Sequence, residues 1–454
     1  IKITQEEIVM KKRLLSMLMA TAMTATLFAG CGSNSAAEAP ATETPAADTA
    51  TAEAPAADAP AEDVTLDWAI WDQESTPYWT ALADAYMAAN PNVTINMVDL
   101  GSQDYMTVLA TELSGEGTDF DVVTIKDVPG YATLVQKNAI ISLDDYISAD
   151  GVDLSLYNGA TDQVTVDGSL YELPFRNDIW VLFYNKDLFD AAGVDYPTND
   201  MTWAQYDELA RKVASKDVYG THYHTWRSTV GLIGCLDGKH SILDGNYDFM
   251  KEYYDMVLAQ EKDGICRSYS DLKTEGLHYS AAFSSGDVAM MNMGSWYIST
   301  LISNIASGEY DGSVCGNWGL VKYPHAEGVP AGSTLGTFTG LAVTSATEVK
   351  DAAWDFVKWV SGTEGAQVMA STGNFPAIMT SEALNTITSI EGFPADDASK
   401  EALNTAAVYL EVPYAANVSE INSILDTYHG MIMGGECSVE EGIASMNEEV
   451  SAIK

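Results

Sequence analysis

The segment VTLDWAIWDQESTPYWTALADAYMAANPNVTINMVDL, residues 64–100, decides the fold of this chain. Its apolar residues alternate over 64–70, recur at helical spacing between Pro77 and Pro91, and alternate again over 93–97. A period of two predicts a strand and a period near 3.6 predicts a helix. The segment therefore predicts the order β-α-β.

The same order continues along the chain. A helix is predicted through Tyr105, Leu109 and Leu113, and the apolar run Phe120–Ile125 predicts a buried parallel strand. Strands separated by helices imply an α/β fold with a parallel or mixed sheet and right-handed crossovers. In such folds ligands bind where the strands end at their C-termini.

The remaining sequence predicts a second unit of alternating strands and helices. Further strands are predicted at Ile179–Asn185 and Phe338–Thr344. Further helices are predicted at Tyr247–Gln260, Ala352–Val360, Leu384–Ile390 and Ser399–Tyr409. The chain after Asp63 exceeds the roughly 250–300 residues at which one core stops growing, so we expect two α/β lobes.

The composition excludes several partners. The chain has 454 residues, of which 22 are Lys or Arg and 65 are Asp or Glu, giving a formal net charge of −43. So acidic a surface repels phosphates, which argues against nucleic acid and against anionic lipid surfaces as partners. With 47% apolar and 10% aromatic residues, the chain can still bury a large core.

The N-terminus predicts export. Basic residues at 11–13 precede an apolar run over 14–28, too short for a spanning helix of roughly 20 residues. The pattern is typical of a signal peptide over residues 1–30, with translation beginning at Met10. The string LFAGC resembles the bacterial lipobox, which implies a lipid on Cys31 that anchors the protein on the extracellular face of the cell membrane, as in Gram-positive surface lipoproteins. An ordinary secretory peptide with a chance cysteine is the alternative.

Three stretches of sequence after residue 63 resemble motifs of a known family. They are LPFRNDIWVLFYNKDLFDAAGV at 173–194 with PTNDMTWAQYDEL at 197–209, AAFSSGDVAMMNMGSW at 281–296, and AAWDFVKWVSGTEGAQ at 352–367 with GNFPA at 373–377. In their order and spacing, these phrases resemble the extracellular solute-binding proteins of ABC importers, the family that binds maltose-type oligosaccharides, other sugars and glycerol phosphate. The resemblance covers the chain from Val64 onward.

The resemblance implies a two-lobe periplasmic-binding-protein-like fold of type II, with mixed α/β sheets, a hinge and an interlobe cleft. Closure of the lobes would capture a carbohydrate, with an oligosaccharide favoured, for delivery to separate ABC permease subunits in the membrane. We expect a monomer without enzymatic activity or cofactor. The expected divisions are the signal peptide (1–30), lipidated Cys31 with a disordered acidic Ala/Pro linker (31–63), the N-terminal lobe (64–175 and 330–373) and the C-terminal lobe (176–329 and 374–454). The chain is expected to cross between lobes near Phe175–Asp178, Tyr323–Ser333 and Gly373–Ala377.

Sugar sites combine aromatic faces with groups that hydrogen-bond several hydroxyls. Trp71 and Asp72 follow the first predicted strand, and the resemblance places Trp296 so that it faces the cleft. The full set predicted from strand ends and crossings is Trp71, Asp72, Asp127, Arg176, Asp178, Trp296, Thr337 and Asn374. Asn177, within the first crossing, is expected beside Arg176 and Asp178. For each residue, a structural role is an equal alternative.

Trp226 and Arg227 form a loop cluster with His222 and His224. Stacking by Trp226 and hydroxyl binding by Arg227 is the functional interpretation, and a structural loop is the alternative. The spacing of the two histidines does not complete a metal site, so no metal is predicted. Whether the cysteines at 235, 266, 315 and 437 form disulfides or stay free is left open by the sequence.

Two other classes of function compete with a transport binder. An exported glycoside hydrolase needs two suitably spaced carboxylates, and with 65 acids such a pair can always be proposed, so the proposal carries no information. GxSxG, HExxH and Walker motifs are absent from the sequence. A non-catalytic glycan adhesin on the cell surface would need no cleft. The identity, linkage and length of a bound sugar cannot be inferred from these residues.

Overall fold

The computed structural model describes residues 63–115, 120–157 and 159–454. The predicted signal peptide, Cys31 and nearly all of the predicted linker lie outside the described residues.

Eight strands in the described part of the chain pair in the order β2-β1-β3-β7-β4-β5, with β6 added to β4 and β8 added to β7. Their bounds are β1 Val64–Ile70, β2 Val93–Asp99, β3 Val122–Ile125, β4 Leu173–Asn185, β5 Met290–Gly294, β6 Trp318–Lys322, β7 Ser333–Val343 and β8 Ala407–Leu410.

Helices cover both sides of these strands and connect most of them. Their bounds are α1 Pro77–Ala89, α2 Tyr105–Glu112, α3 Val128–Gln136, α4 Asp144–Asp150, α5 Ala160–Gln163, α6 Lys186–Ala192, α7 Trp203–Val213, α8 Lys251–Lys262, α9 Tyr269–Glu275, α10 Tyr279–Ser284, α11 Trp296–Ser307, α12 Gly312–Cys315, α13 Lys350–Ser361, α14 Thr363–Ser371, α15 Ser381–Thr388, α16 Asp397–Glu401, α17 Val418–Met433 and α18 Val439–Ile453.

The predicted β-α-β-α-β order is confirmed. Strand β1 pairs in parallel with β2 on one side and with β3 on the other, and helices α1 and α2 form the connections. Trp68 on β1 is fully buried between Trp79 of α1 and Phe356 of α13, whose ring centroids lie 5.3 and 5.1 Å from its own. The apolar face read from the alternation is therefore the face that packs against helices.

Strand β4 takes part in two sheets. Its first half, Leu173–Ile179, pairs antiparallel with β7, and its second half runs between β5 and β6. The first half thus extends the sheet of β1, β2 and β3, while the second half is the centre of a separate three-stranded sheet. Two sheets, each covered by helices, give the two-lobe α/β architecture.

The segment 399–409 was predicted as one helix, and this prediction is wrong. Helix α16 ends at Glu401, and Ala407–Leu410 forms β8, which pairs in parallel with Ser333–Gly336 of β7. The sequence Ala-Val-Tyr-Leu fits a pleated surface, and pairing with β7 satisfies its backbone groups, which a local pattern of apolar spacing does not reveal.

The exact residues at which the chain crosses from one lobe to the other stay a prediction. The expected first and third crossings are neighbours in space, because the backbone N–H of Asn177 donates to the carbonyl of Phe375 at 3.0 Å. The expected second crossing includes the loop between the end of β6 at Lys322 and the start of β7 at Ser333.

The structure describes the four cysteines of the folded chain and the helices that could be tested as membrane spans. The cysteines at 235, 266, 315 and 437 are free thiols, the first three buried. Within the described ranges, no helix has the length and apolar character needed to span a bilayer.

Glu172, immediately before β4, is a buried carboxyl group without a full set of partners. It is 2% exposed, and its Oε2 atom lacks a hydrogen-bond partner among the described residues. Burial, with a smaller contribution from Asp127, raises the pKa of Glu172 to about 8. An uncharged carboxyl is therefore the form this site favours.

Replacing Glu172 by glutamine is expected to flatten the dependence of stability on pH. The unfolded glutamate has a pKa of about 4.3, so between pH 5 and 8 the folded state binds more protons and the free energy of unfolding falls as pH rises. Glu172→Gln removes this loss and should be more stable than the parent at pH 8. Urea unfolding at pH 5, 6.5 and 8 measures the effect, with exposed Glu382→Gln as control. Equal slopes for Glu172→Gln and the parent would contradict the raised pKa.

Candidate functional site

A first aromatic patch lies at the C-terminal end of β1. Trp71 packs edge-to-face against Trp79 and Tyr105, with ring centroids 5.0 Å away in each case. The Nζ atom of Lys126 lies 5.2 Å from the centroid of the Trp71 ring, so the cation faces the indole. Asp72 follows Trp71 in a left-handed conformation, with φ of 47°, and its Oδ1 accepts from the backbone N–H of Ser102 at 3.1 Å. The structure thus brings Trp71 and Asp72 to the predicted strand end.

A buried ion pair lies on β4 shortly before the strand passes from one sheet to the other. Arg176 Nη2 and Asp178 Oδ2 are 2.6 Å apart. Arg176 Nη1 also donates to the hydroxyl of Tyr78 on α1 at 3.2 Å, and the hydroxyl of Ser295 donates to Asp178 Oδ1 at 2.8 Å. Burial raises the pKa of Asp178, and Arg176 opposes that shift. The pair connects helix α1 to the start of helix α11, which begins at Trp296.

The register of β4 with β7 defines which residues share a face. Arg176 pairs with Thr339, and Asp178 pairs with Thr337. Directly opposite residues of an antiparallel pair point to the same face, so these four side chains share one face of the sheet. Asn177, paired with Phe338, points to the other face.

A second aromatic patch includes Trp226 and Trp296. Tyr279 joins the two indoles: its hydroxyl accepts from Trp296 Nε1 at 3.1 Å, and its ring centroid is 5.6 Å from that of Trp226. The ring centroids of Trp226 and Trp296 are 6.3 Å apart, and the Trp226 residue is 39% exposed. We call Trp226, Tyr279 and Trp296 the aromatic wall. An exposed indole in such a wall is suited to stacking on an apolar ring face.

Two features hold the indole of Trp296 in place. Trp180, fully buried on β4, packs edge-to-face against it at 5.7 Å. The other support is Gly294, because a Cβ atom there would lie only 1.9 Å from Cζ3 of Trp296. The glycine of the GSW phrase therefore leaves the space that the tryptophan ring occupies.

A buried carboxylate supports the wall from behind. Glu411 Oε1 accepts from Trp180 Nε1 at 2.5 Å, and Glu411 Oε2 accepts from the hydroxyl of Ser228. Ser228 is two residues from Trp226. The Glu411 side chain therefore holds both Trp180, which packs against Trp296, and the turn that carries Trp226. Burial raises the pKa of Glu411, and the hydrogen bonds from Ser228 and Trp180 oppose that shift.

Three predicted site residues have structural contacts of their own. Asp127 caps α3, accepting from the backbone N–H of Gly130 at 2.7 Å. Arg227 is 5% exposed and donates to Asn422 Oδ1 at 2.5 Å. Asn374 is buried and donates to the carbonyl of Thr372 at 3.2 Å. None of these contacts adds the residue to either aromatic patch, so a role in ligand binding stays a prediction for all three.

His222 and His224 are neutral groups near the wall. Burial lowers the pKa of His222 to about 3 and that of His224 to about 4. The His224 ring is 4.5 Å from Trp226 and perpendicular to it. Among the described residues, no group of three or more His, Cys, Asp or Glu side chains is arranged to hold a metal ion.

Five residues that contact the predicted site residues were not predicted from the sequence: Tyr78, Tyr279, Trp180, Ser295 and Glu411. Ser295 is the middle residue of the GSW phrase, and that position was the one local signal available. The others come to the site through contacts between residues far apart in the chain, as between Trp180 and Glu411.

A two-lobe α/β fold in which aromatic and hydrogen-bonding side chains come together has the form of a ligand-binding protein. The family model for bacterial extracellular solute-binding proteins matches residues 71–367. The chain belongs to this family.

Individual relatives agree with the family assignment. A sugar transporter from Rhizobium etli, solved in an open conformation, is 49% identical, with a TM-score of 0.78 over 86% of this chain and 100% of that one. An ABC substrate-binding protein from Listeria monocytogenes in complex with cycloalternan is 21% identical and shares the fold, with a TM-score of 0.72 over 86% of this chain and 99% of that one. The lactose-binding protein of Rhizobium radiobacter is 26% identical over 303 residues, which are 61% of this chain and 65% of that protein. The match thus spans somewhat less than two thirds of that curated relative.

Replacing Gly294 by alanine is expected to displace the Trp296 indole, since the new Cβ would overlap it. Near-ultraviolet circular dichroism should therefore lose part of its tryptophan signal, while far-ultraviolet dichroism stays unchanged. Gly430→Ala in α17 is the control, because its added Cβ meets only the Tyr269 hydroxyl at 3.4 Å. A near-ultraviolet spectrum identical to that of the parent would show that Gly294 does not position the ring.

Proposed function

We propose that this protein is the substrate-binding lipoprotein of an ABC transporter, which captures a carbohydrate between its lobes and delivers it to a membrane permease. The observation that carries the proposal is the aromatic wall together with the Arg176–Asp178 pair. A pyranose presents a flat patch of C–H groups and a rim of hydroxyls, and these two elements offer a ring to stack on and both donors and acceptors. The names of the similar sugar-binding proteins support the same class of ligand.

The charges near the site favour a neutral ligand. Arg176 is already paired with Asp178, and Glu411 adds a further acid beside Trp180. Lys126 faces Trp71 and donates to the carbonyl of Ser102 at 2.6 Å. A phosphate dianion would need several cations with free donors in one place. A neutral sugar or short oligosaccharide is the better match.

Closure of the lobes is the proposed mechanism. Trp71, Asp72 and Tyr78 belong to the first lobe, and the aromatic wall belongs to the second, so a ligand that touches both sets stabilises the closed form. The proposed boundaries are 64–175 with 330–373 for one lobe and 176–329 with 374–454 for the other. Thr337, on the same face as Arg176 and Asp178, would add a hydroxyl to the cleft.

Lipidation of Cys31 would hold the protein on the outer face of the cell membrane, with the acidic linker as a tether. The proposed protein is a monomer and performs no chemistry on its cargo. The absence of catalysis is part of the proposal and is tested together with binding.

A thermal-shift screen tests the function. The purified protein is screened with mono- and oligosaccharides, glycerol phosphate, polyamines and amino acids, and each hit is incubated and checked for product. A ligand bound only by the folded state raises the melting temperature by mass action. A shift with one class of glycan and no product supports the proposal. Product formation would make the protein a hydrolase, and shifts only with charged amines or phosphates would exclude the sugar assignment.

Trp226→Ala is expected to weaken binding of the glycan found in the screen by about tenfold or more, because a lost stacking contact of about 1.4 kcal/mol corresponds to tenfold in affinity. Isothermal titration calorimetry measures the change. The control is Trp359→Ala, which removes a half-buried tryptophan that lies against Tyr86, away from the aromatic wall. Equal losses in both variants would indicate a general effect on folding rather than a contact with the ligand.

A further inference from the structure

The exposed indole of Trp226 stands on a buried, polar turn. Trp226 precedes a single turn of 3₁₀-helix, Arg227–Thr229, and all three residues of that turn are buried. One turn of 3₁₀-helix is not stable by itself, because its first hydrogen bond is gained only after several dihedral angles have been fixed. The contacts of these three polar side chains therefore hold the turn, and with it the base of the indole.

The hydroxyl of Thr229 returns to the backbone around Trp226. Its Oγ1 atom lies 2.7 Å from the carbonyl oxygen of His224 and 2.8 Å from that of Trp226. A hydroxyl has one hydrogen, so the two carbonyls share it. The backbone N–H of Thr229 also donates to the carbonyl of Trp226 at 3.1 Å. The backbone of residues 224–226 is thereby bound at both ends to one fully buried residue.

The other two side chains of the turn bind its surroundings. Arg227 donates to Asn422 on α17, and the hydroxyl of Ser228 donates to Glu411. These bonds fix where the turn lies in the protein. The hydroxyl of Thr229 instead fixes the conformation of the backbone from which the indole projects.

We infer that the hydroxyl of Thr229 is the positioning group for Trp226, which orders the indole before a ligand arrives. This role rests on the proposed function, in which Trp226 stacks on a sugar ring. Ordering a loop or a side chain during association costs free energy, and a turn that is already ordered avoids that cost. Loss of the hydroxyl should therefore lower the affinity for the glycan, although Thr229 is buried behind the wall.

Thr229→Val tests this role by affinity. Valine has nearly the shape of threonine but lacks the hydroxyl, and the glycan found in the screen is titrated by isothermal titration calorimetry. We expect binding to weaken about three- to tenfold, as for the loss of one hydrogen bond. Thr229→Ser keeps the hydroxyl and should bind as the parent does. Added to Trp226→Ala, Thr229→Val should have no further effect on affinity, because its effect passes through the indole.

Thr344→Val is the matched control. Thr344 is also fully buried, and its hydroxyl donates to the carbonyl of Phe120. Phe120 precedes β3, which runs parallel to β1, so this bond lies at the edge of the first sheet opposite to Trp71. The control should lose stability in urea unfolding and keep its affinity for the glycan. A loss of affinity equal to that in Thr229→Val would show that affinity follows stability alone and would overturn the positioning role.

A second measurement needs no ligand. The full chain is labelled with 5-fluorotryptophan and observed by ¹⁹F NMR, and the Trp226 line is assigned by its loss in Trp226→Phe. We expect one Trp226 line in the parent, a displaced or broadened line in Thr229→Val, and the line of the parent in Thr229→Ser and in Thr344→Val. Several Trp226 lines in the parent would contradict an indole that is ordered in advance.

The results separate this role from the proposed function. If the parent binds a glycan and Thr229→Val binds it equally tightly, the positioning role is overturned and the proposed function stands. If the parent binds no glycan, the proposed function fails, and an unchanged Trp226 line in Thr229→Val would overturn the ordering of the indole as well. Should Thr229→Val not fold, Thr229→Ala gives the same comparisons, because it lacks the hydroxyl and places no methyl group against the two carbonyls.

Discussion

The arrangement of this protein depends on one uninterrupted strand. Strand β4 spans 13 residues, and its two halves belong to two different sheets. A strand is held along its length by ladders of hydrogen bonds, so the point at which it leaves one sheet for the other is fixed to within a residue. Asp178 lies two residues before this point and Arg176 four residues before it, both still paired with β7. Their positions relative to both aromatic patches are therefore set by backbone pairing rather than by loop conformation.

The Arg176–Asp178 ion pair is not a strong source of stability. A buried pair recovers in mutual attraction roughly what it loses in hydration, whereas removal of one partner leaves the other charged and buried. Arg176 is held by Tyr78 on α1, and Asp178 is held by Ser295 at the start of α11. In the proposed closure of the lobes, this chain of hydrogen bonds would have to be preserved or replaced by others. Hydroxyls of a ligand are chemically suited to that replacement.

The sequence predicts best what local periodicity determines. The strands around Trp68 and the parallel order of β1, β2 and β3 follow from apolar spacing, because the buried face must repeat with the geometry of the element. The strand at Ala407–Leu410 was missed because only its pairing with β7 distinguishes it from a helix end. The position of Trp71 at the end of β1 follows from the same alternation, whereas its role in binding stays a prediction. Contacts between distant residues were missed, as between Glu411 and Trp180.

One irregularity in β4 decides which side chains face the proposed sugar site. Pro174 pairs with Gly340 and Arg176 with Thr339, so Phe175 is an extra residue without an opposite partner. Its carbonyl instead accepts from the backbone N–H of Ala377 at 2.9 Å. Because side chains alternate between the two faces of a sheet, one inserted residue moves each later side chain of the strand to the opposite face. Without the bulge, the amide of Asn177 would take the face that Arg176 and Asp178 occupy, and the ion pair would lie on the opposite face of β4. The charged and uncharged faces of β4 are therefore assigned by this bulge, which lies beside the 375–377 segment that stabilises it.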